Sequence, residues 1–205
     1  MLLSVVAENL VCRRGMRPVF SGLNFRAHAG TCISIEGPNG AGKTSLLRLL
    51  AGFIAPADGS LRVALKDGGE ISDDEERGKF AGWLGHQDAL KPQLTTAENL
   101  SFFALLYADG SGVDEALART GLSRQKDLPG QYLSAGQKRR LGLARLLVTR
   151  RPLWLLDEPL AALDVAGKAL VADLISGHVK QGGLAFAATH EPLGLACEKI
   201  TLGAA

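Results

Sequence analysis

The amino-acid sequence predicts an α/β fold with a mostly parallel central sheet, and three observations lead to that expectation. Short apolar runs typical of buried strands, at 153–156 and 184–189, alternate with helical patterns. A glycine-rich phosphate-loop pattern lies between a predicted strand and a predicted helix at 37–44. The 205 residues, 46% of them apolar and 5% aromatic, are sufficient for one sizeable buried core. These features favour a nucleotide-binding domain.

The N-terminal 36 residues predict strands and therefore a β subdomain before the phosphate loop. Apolar alternation marks 3–6 and 23–26, and Cys32–Glu36 leads directly into the loop. The pattern after the loop predicts a helix over 44–51, which Gly52 would end. We expect this N-terminal part to be an antiparallel β subdomain.

The middle of the chain changes from strand patterns to helical ones. Residues 59–84 predict a hairpin with a polar insert, in which Asp73–Asp74–Glu75–Glu76 favours a solvated turn. Two amphipathic segments follow at 98–107 and 114–120. A further helix is expected from Ser134 to about Arg150, where Pro152 stops it.

The remaining pattern completes the domain with a strand at 153–156, a helix at 166–180 and a strand at 184–189. We therefore predict one domain spanning 1–205. Its core would comprise about 1–87 and 151–205, and a helical subdomain would comprise about 88–150.

Charge, cysteine spacing and hydropathy argue against a nucleic-acid partner, a C-x-x-C redox site and a membrane-spanning segment. The net charge of +2 does not indicate a nucleic-acid partner, and Arg139–Arg140 is expected on a solvated helix face. The three cysteines, Cys12, Cys32 and Cys197, are far apart and form no C-x-x-C pattern, so reduced thiols are expected. The sequence lacks an apolar run long enough to span a bilayer.

Residues 37–44 form a complete phosphate-loop pattern. Its members are Gly37, Pro38, Asn39, Gly40, Ala41, Gly42, Lys43 and Thr44. Backbone N–H groups of such a loop point into one concavity, and the following helix N-terminus adds partial positive charge. In this site Lys43 is expected to reach the β- and γ-phosphates, and the Thr44 hydroxyl to bind Mg²⁺.

Further motifs follow in a fixed order along the chain. Asp157 ends a buried strand, where a carboxylate faces the ligand crevice of a parallel sheet, and is expected to hold the metal. Glu158 comes next, and His190 directly follows the last buried strand. Leu133–Ser134–Ala135–Gly136–Gln137 opens a long helix and forms a second phosphate-seeking helix N-terminus. Because the chain already has its own phosphate loop, this element suggests a second chain.

This ordered set resembles the ATP-binding-cassette (ABC) ATPases, and the resemblance covers almost all 205 residues. It implies ATP and Mg²⁺ as cofactors and a P-loop NTPase fold. It also implies that Glu158 polarises the attacking water, that Gln87 contacts Mg²⁺ or water, and that His190 contacts the γ-phosphate.

The resemblance further implies a head-to-tail dimer that holds two ATP molecules between its copies. Ser134, Gly136 and Gln137 of one copy would then face the nucleotide held by Lys43 of the other. Asp164, in Ala162–Leu163–Asp164, would lie at the dimer interface.

One position departs from the family pattern. The family places an aromatic residue that stacks on adenine about two dozen positions before the first loop glycine, where this chain has Arg14. A guanidinium plane can stack on adenine instead. The alternative is that Arg14 is a solvated surface charge.

Several short stretches resemble the haem-export ATPases of bacterial cytochrome c maturation more closely. These stretches are 36–48, 85–87, 94–100, 132–140 and 188–193. The resemblance implies a peripheral subunit on the cytoplasmic face of the bacterial inner membrane, with integral membrane permease subunits as partners. Direct haem binding is not expected because the chain contains no C-x-x-C-H.

The partner surface is expected in the helical insert, on Phe102, Phe103, Leu106 and Tyr107, although internal packing of these side chains is the alternative. Three other functions remain open at this point. They are the ATPase of another small ABC exporter, a soluble ABC ATPase without a transport role, and a P-loop kinase.

Overall fold

The computed structural model describes residues 2–86, 89–107 and 110–203. The strands in these ranges are β1 (Leu2–Arg14), β2 (Arg17–His28), β3 (Cys32–Glu36), β4 (Asp58–Leu65), β5 (Glu70–Ile71), β6 (Ala81–Leu84), β7 (Leu153–Asp157), β8 (Leu184–Ala188) and β9 (Glu198–Thr201). The α-helices are α1 (Lys43–Leu50), α2 (Asp74–Gly78), α3 (Thr96–Tyr107), α4 (Val113–Arg119), α5 (Ala135–Thr149) and α6 (Val165–Lys180).

The N-terminal strands form an antiparallel sheet in the order β2-β1-β4-β5. A tight turn at Gly15, whose φ is 58°, joins β1 to β2, and the two strands then pair from Arg14 opposite Arg17 to Ser4 opposite His28. The end of β1, at Arg14, lies beside the loop between β3 and α1.

The central sheet has the order β6-β7-β8-β3-β9, and all four pairings are parallel. Every residue of β7 and β8 is buried because apolar layers cover both faces of the sheet. On one face of the central sheet, α1 packs between the two sheets. On the other face, α5 packs against the sheet through Leu143, and α6 through Leu174 and Ile175. The predicted fold class is therefore confirmed.

The helical segments between β6 and β7 have a small apolar core of their own. It is built from side chains of α3, α4 and α5, among them Leu100, Leu117, Leu141 and Val148. Within the described ranges, no helix is both long and apolar enough to cross a bilayer.

Two local features differ from the expectations. The acidic segment forms helix α2 because the Asp73 side chain accepts a hydrogen bond from the backbone of Glu76 and caps it. Arg77, in the same helix, is buried and donates to the backbone oxygens of Leu49 and Leu61. The second feature is the edge strand β9, which the sequence did not predict. A four-residue strand of mixed polarity has no clear periodic pattern.

Candidate active site

The phosphate loop connects β3 to α1, and its glycines are required by shape. Gly42 has a φ of 98°, and a Cβ at this position would lie 2.5 Å from Val19 Cγ1. Gly37 has a φ of 148°, and its Cβ would lie 2.4 Å from the Leu202 backbone oxygen. Larger residues would therefore push the loop away from β2 and from the C-terminal segment.

Lys43 is folded back into the loop that precedes it. Its Nζ donates to the backbone oxygens of Gly37 at 2.8 Å and Pro38 at 3.1 Å, and the residue is only 8% exposed. The ammonium therefore lies at the centre of the loop, where nucleotide phosphates are expected.

Thr44 and Asp157 meet across the site. Thr44 Oγ1 lies 3.1 Å from Asp157 Oδ1 and 3.0 Å from Asp157 Oδ2, although 113 residues separate the two in sequence. Asp157 is the last residue of β7 and is buried. A hydroxyl and a carboxylate are the hard oxygen ligands that Mg²⁺ prefers, so the donor set fits this ion.

Glu158 and His190 lie side by side after β7 and β8. Glu158 has a φ of 50° and its N–H donates to the Ala188 backbone oxygen at 2.8 Å, which turns the chain out of the sheet. Its Oε1 lies 3.5 Å from His190 Nε2. The two side chains are partly exposed, at 32% for Glu158 and 50% for His190, so a water molecule can reach both.

Arg139 is the residue that the sequence interpretation misplaced. The sequence places it on a solvated helix face, but it is buried at 3% exposure and points from α5 towards the backbone at the ends of β6 and β7. Its guanidinium donates to the backbone oxygens of Gly85 at 2.6 Å, Asp157 at 2.6 Å and Glu158 at 2.5 Å. Sequence pattern alone could not distinguish it from its more exposed neighbour Arg140, because both occupy a polar stretch of the helix.

An open cleft of about 370 Å³ joins these groups. Its lining residues are Arg14, Val19, Asn39, Gly40, Gly42, Lys43, Thr44, Ser45, His86, Asp157, Glu158 and His190. Arg14 is an exposed residue at the mouth of the cleft, at the end of β1. Gln87, expected to contact the metal or water, lies outside the described residues.

Ser134 caps the N-terminus of α5. It accepts a hydrogen bond from the Gln137 backbone N–H at 3.2 Å, and the Gln137 side chain accepts one from the Ser134 N–H at 2.9 Å. Ser134 is exposed and Gly136 is half-buried. Among the described lining residues of the cleft, none comes from 134–137. This helix N-terminus is therefore available to a ligand outside the chain's own cleft.

Comparisons with known proteins agree with the arrangement. The family profile described as ABC transporter matches residues 20–161. The cytochrome c biogenesis ATP-binding export protein CcmA of Nitrobacter winogradskyi is 53% identical over 201 residues, which are 97% of each chain.

Two solved structures show the same fold at 25% identity. A bacterial Atm1-family ABC exporter with ATP bound gives a TM-score of 0.83, and the match covers 100% of this chain and 38% of that one. A dimeric, post-hydrolysis ATP-binding cassette bound to ADP and Pi gives a TM-score of 0.78, and covers 91% of this chain and 88% of that one.

Proposed function

This chain belongs to the ABC transporter family, and we propose that it is the ATP-hydrolysing subunit of the haem exporter that serves bacterial cytochrome c biogenesis. The observation that carries the proposal is the 53% identity, along 97% of both chains, to an ATP-binding export protein of that process. The cleft supports ATP hydrolysis as the activity, because a phosphate loop, the Thr44–Asp157 pair and the Glu158–His190 pair all line it.

In this proposal the phosphate loop binds the ATP phosphates. When ATP binds, the Lys43 ammonium donates to β- and γ-phosphate oxygens instead of to the backbone oxygens of Gly37 and Pro38. The phosphate oxygens are negatively charged and therefore form stronger hydrogen bonds with the ammonium. Thr44 and Asp157 would hold Mg²⁺, Gln87 would add a further contact to the ion or to water, and the bound ion would neutralise phosphate charge. Arg14 stacks on the adenine at the mouth of the cleft.

Glu158 is the general base in this mechanism. Its carboxylate accepts a proton from the attacking water, while the Arg139 hydrogen bonds to the neighbouring backbone fix its position. His190, 3.5 Å away, is a hydrogen-bond donor for the γ-phosphate as charge develops there. Glu158 and His190 therefore act on the same γ-phosphate.

A second copy of the chain completes the site. At this helix N-terminus Ser134 is exposed, and Gly136 and Gln137 are half-buried. The N-terminus carries partial positive charge, so it suits the γ-phosphate of ATP held by another copy. Asp164 caps α6 and also accepts a hydrogen bond from Arg140 at 3.3 Å, which keeps it next to α5. Two ATP molecules would then lie between two copies arranged head to tail.

The docking site for the membrane partner is an apolar groove between the central sheet and the helical segments. The groove measures about 480 Å³, and Phe53, Trp83, Phe103 and Tyr107 contribute its aromatic walls. Phe53 is 61% exposed and packs edge-on against Trp83. An apolar helix face from a permease subunit, on the cytoplasmic side of the inner membrane, matches such a groove.

Besides Tyr107, helix α3 also bears exposed apolar side chains outside the groove, on more than one face. Phe102, Leu105, Leu106 and Tyr107 are between 42% and 72% exposed, so internal packing does not account for them. Arg151 lies over the Tyr107 ring, 4.9 Å from its centroid, and keeps the ring at the rim of the groove.

Cofractionation with membranes tests this function. Wild-type protein should sediment with the membrane only in cells that also make the permease subunits of the export system. Phe53→Ser and Tyr107→Ser should remain in the supernatant while hydrolysing ATP at the basal rate, and Leu3→Ser, an exposed apolar residue of the N-terminal sheet, should sediment like wild type. Wild-type protein that stays in the supernatant with its partners present would refute the transporter assignment.

A further inference from the structure

Two of the three cysteines, which the sequence places 165 positions apart, meet in the fold. Cys32 is the first residue of β3, and Cys197 immediately precedes β9. Because Ile33 pairs with Glu198 in the parallel register, Cys32 and Cys197 are neighbours one step earlier on adjacent strands. Their Sγ atoms lie 2.8 Å apart.

This placement has the backbone spacing of a disulfide. Neighbouring strands lie about 4.8 Å apart, which falls within the Cα–Cα range of about 4.4–6.8 Å found for disulfides. Both residues contact the same apolar cluster, so their side chains point to the same face of the sheet. A bond between the two sulfur atoms therefore requires no rearrangement of the strands.

The two thiols differ in access and acidity, as a reactive pair requires. Cys32 is buried, whereas Cys197 is half-buried and lines an open cleft of about 690 Å³. The hydrogen bond to Cys197 and burial raise the pKa of Cys32, so this thiol keeps its proton. The same hydrogen bond lowers the pKa of Cys197 and favours its thiolate.

We propose that Cys32 and Cys197 are a redox-active pair that closes to a reversible intramolecular disulfide. The oxidant is a small-molecule disulfide such as oxidised glutathione. The Cys197 thiolate attacks one of its sulfur atoms, forms a mixed disulfide and releases one glutathione thiolate. Cys32 then loses its proton to the released thiolate and attacks Cys197 Sγ, and the second glutathione leaves. Two protein thiols are oxidised, and one glutathione disulfide is reduced to two thiols.

The bond would connect two functional segments. β3 leads directly into the phosphate loop, and Cys197 ends the segment that begins at His190. β9 is an edge strand that pairs only with β3 among the described strands. The disulfide therefore fastens the edge strand β9 to β3 at the amino ends of both strands, and β3 is the strand that carries the phosphate loop at its other end.

The test uses the full-length protein in buffers of reduced and oxidised glutathione. Oxidised wild-type protein, once denatured, should present one free thiol instead of three, and peptide mapping should recover the Cys32–Cys197 cross-link. The thermal midpoint should rise by about 5–10 °C, and dithiothreitol should reverse the change.

Cys12→Ala is the matched control. Cys12 is buried, its pKa is raised by that burial, and it lies beside Ser45, away from the pair. This variant should form the cross-link and show the same rise, whereas Cys197→Ser should show neither. Three free thiols after oxidation of wild-type protein, or a cross-link that includes Cys12 or a second chain, would overturn the proposal.

Discussion

Arg139 and Asp157 are joined by a hydrogen bond of 2.6 Å from the guanidinium Nη2 to the aspartate backbone oxygen. The same guanidinium donates to Gly85 and Glu158, so helix α5 is fixed to the ends of β6 and β7. Ser134 caps the N-terminus of helix α5 and is proposed to contact the nucleotide held by a second copy of the chain. Arg139 therefore connects the dimer-facing helix to the residue proposed as the general base.

Arg139→Lys should slow hydrolysis without weakening ATP binding. A lysine keeps the charge but has no planar fork of donors, so the backbone around Glu158 loses at least one charged hydrogen bond. We expect kcat to fall about 10- to 100-fold, and the free energy of unfolding to fall by about 1–3 kcal/mol. The Kd for ATP should not change, which separates positioning from binding, and Arg124→Lys on an exposed turn is the control. A kcat equal to that of wild type would remove Arg139 from the mechanism.

Arg14→Ala should weaken ATP binding by about 0.5–2 kcal/mol if the guanidinium stacks on adenine. Arg14→Tyr should restore or improve binding, because it provides the aromatic ring of the family pattern. Titration of each protein with ATP and GTP measures both affinity and base discrimination. Arg17→Ala is a matched control, since Arg17 pairs with Arg14 across the hairpin but does not line the cleft. Identical affinities in all four proteins would make Arg14 a surface charge.

His178 should make the protein less stable in acid. It stacks on Trp154 with ring centroids 4.0 Å apart, and burial lowers the pKa of His178 to about 4. The unfolded chain takes up this proton near pH 6.5, so between pH 6.5 and 4 it binds more protons than the folded chain. The stabilising contribution of neutral His178 is thus present above pH 6.5 and is lost as the pH falls towards 4.

The loss should reach about 3 kcal/mol at pH 4. His178→Phe keeps the stacked ring and removes the titration, so its stability should fall less than that of wild type over the same range. Denaturant unfolding at pH 7.5 and pH 4.5 measures the difference. His28→Gln, on the exposed end of β2, should behave like wild type. Equal pH dependence in His178→Phe and wild type would show that His178 titrates normally.

Glu158→Gln should bind ATP and nearly stop hydrolysing it. Loss of a general base slows turnover by about 10²- to 10⁴-fold, while the phosphate loop is unchanged. With ATP and Mg²⁺, the variant should accumulate as a dimer in size-exclusion chromatography, because the closed state is not released. Glu115→Gln, exposed on α4, is the control. Hydrolysis at a near-normal rate would exclude Glu158 as the base.

The sequence predicted the parts of the fold that repeat a local pattern. The buried runs of β7 and β8, the phosphate loop and helix α5 are each specified by a few neighbouring residues. The closeness of Thr44 and Asp157 also follows, since carboxyl ends of parallel strands meet at one edge. The division into a core and a helical subdomain stays a prediction.

Other features depend on tertiary contacts and were therefore missed. Arg139 can be buried because backbone oxygens of two distant segments, at Gly85 and at 157–159, accept its hydrogen bonds. Cys32 and Cys197 become neighbours only when the edge strand β9 pairs with β3. No local window of sequence contains either relationship.

The most direct test of the account is covalent haem attachment to c-type cytochromes in the native host. A strain that lacks this gene should have no haem-stained c-type cytochromes, and the wild-type gene should restore them. Glu158→Gln, produced at the same level, should restore none, because export depends on hydrolysis of ATP. Normal haem staining in the deletion strain, or full restoration by Glu158→Gln, would contradict the central claim.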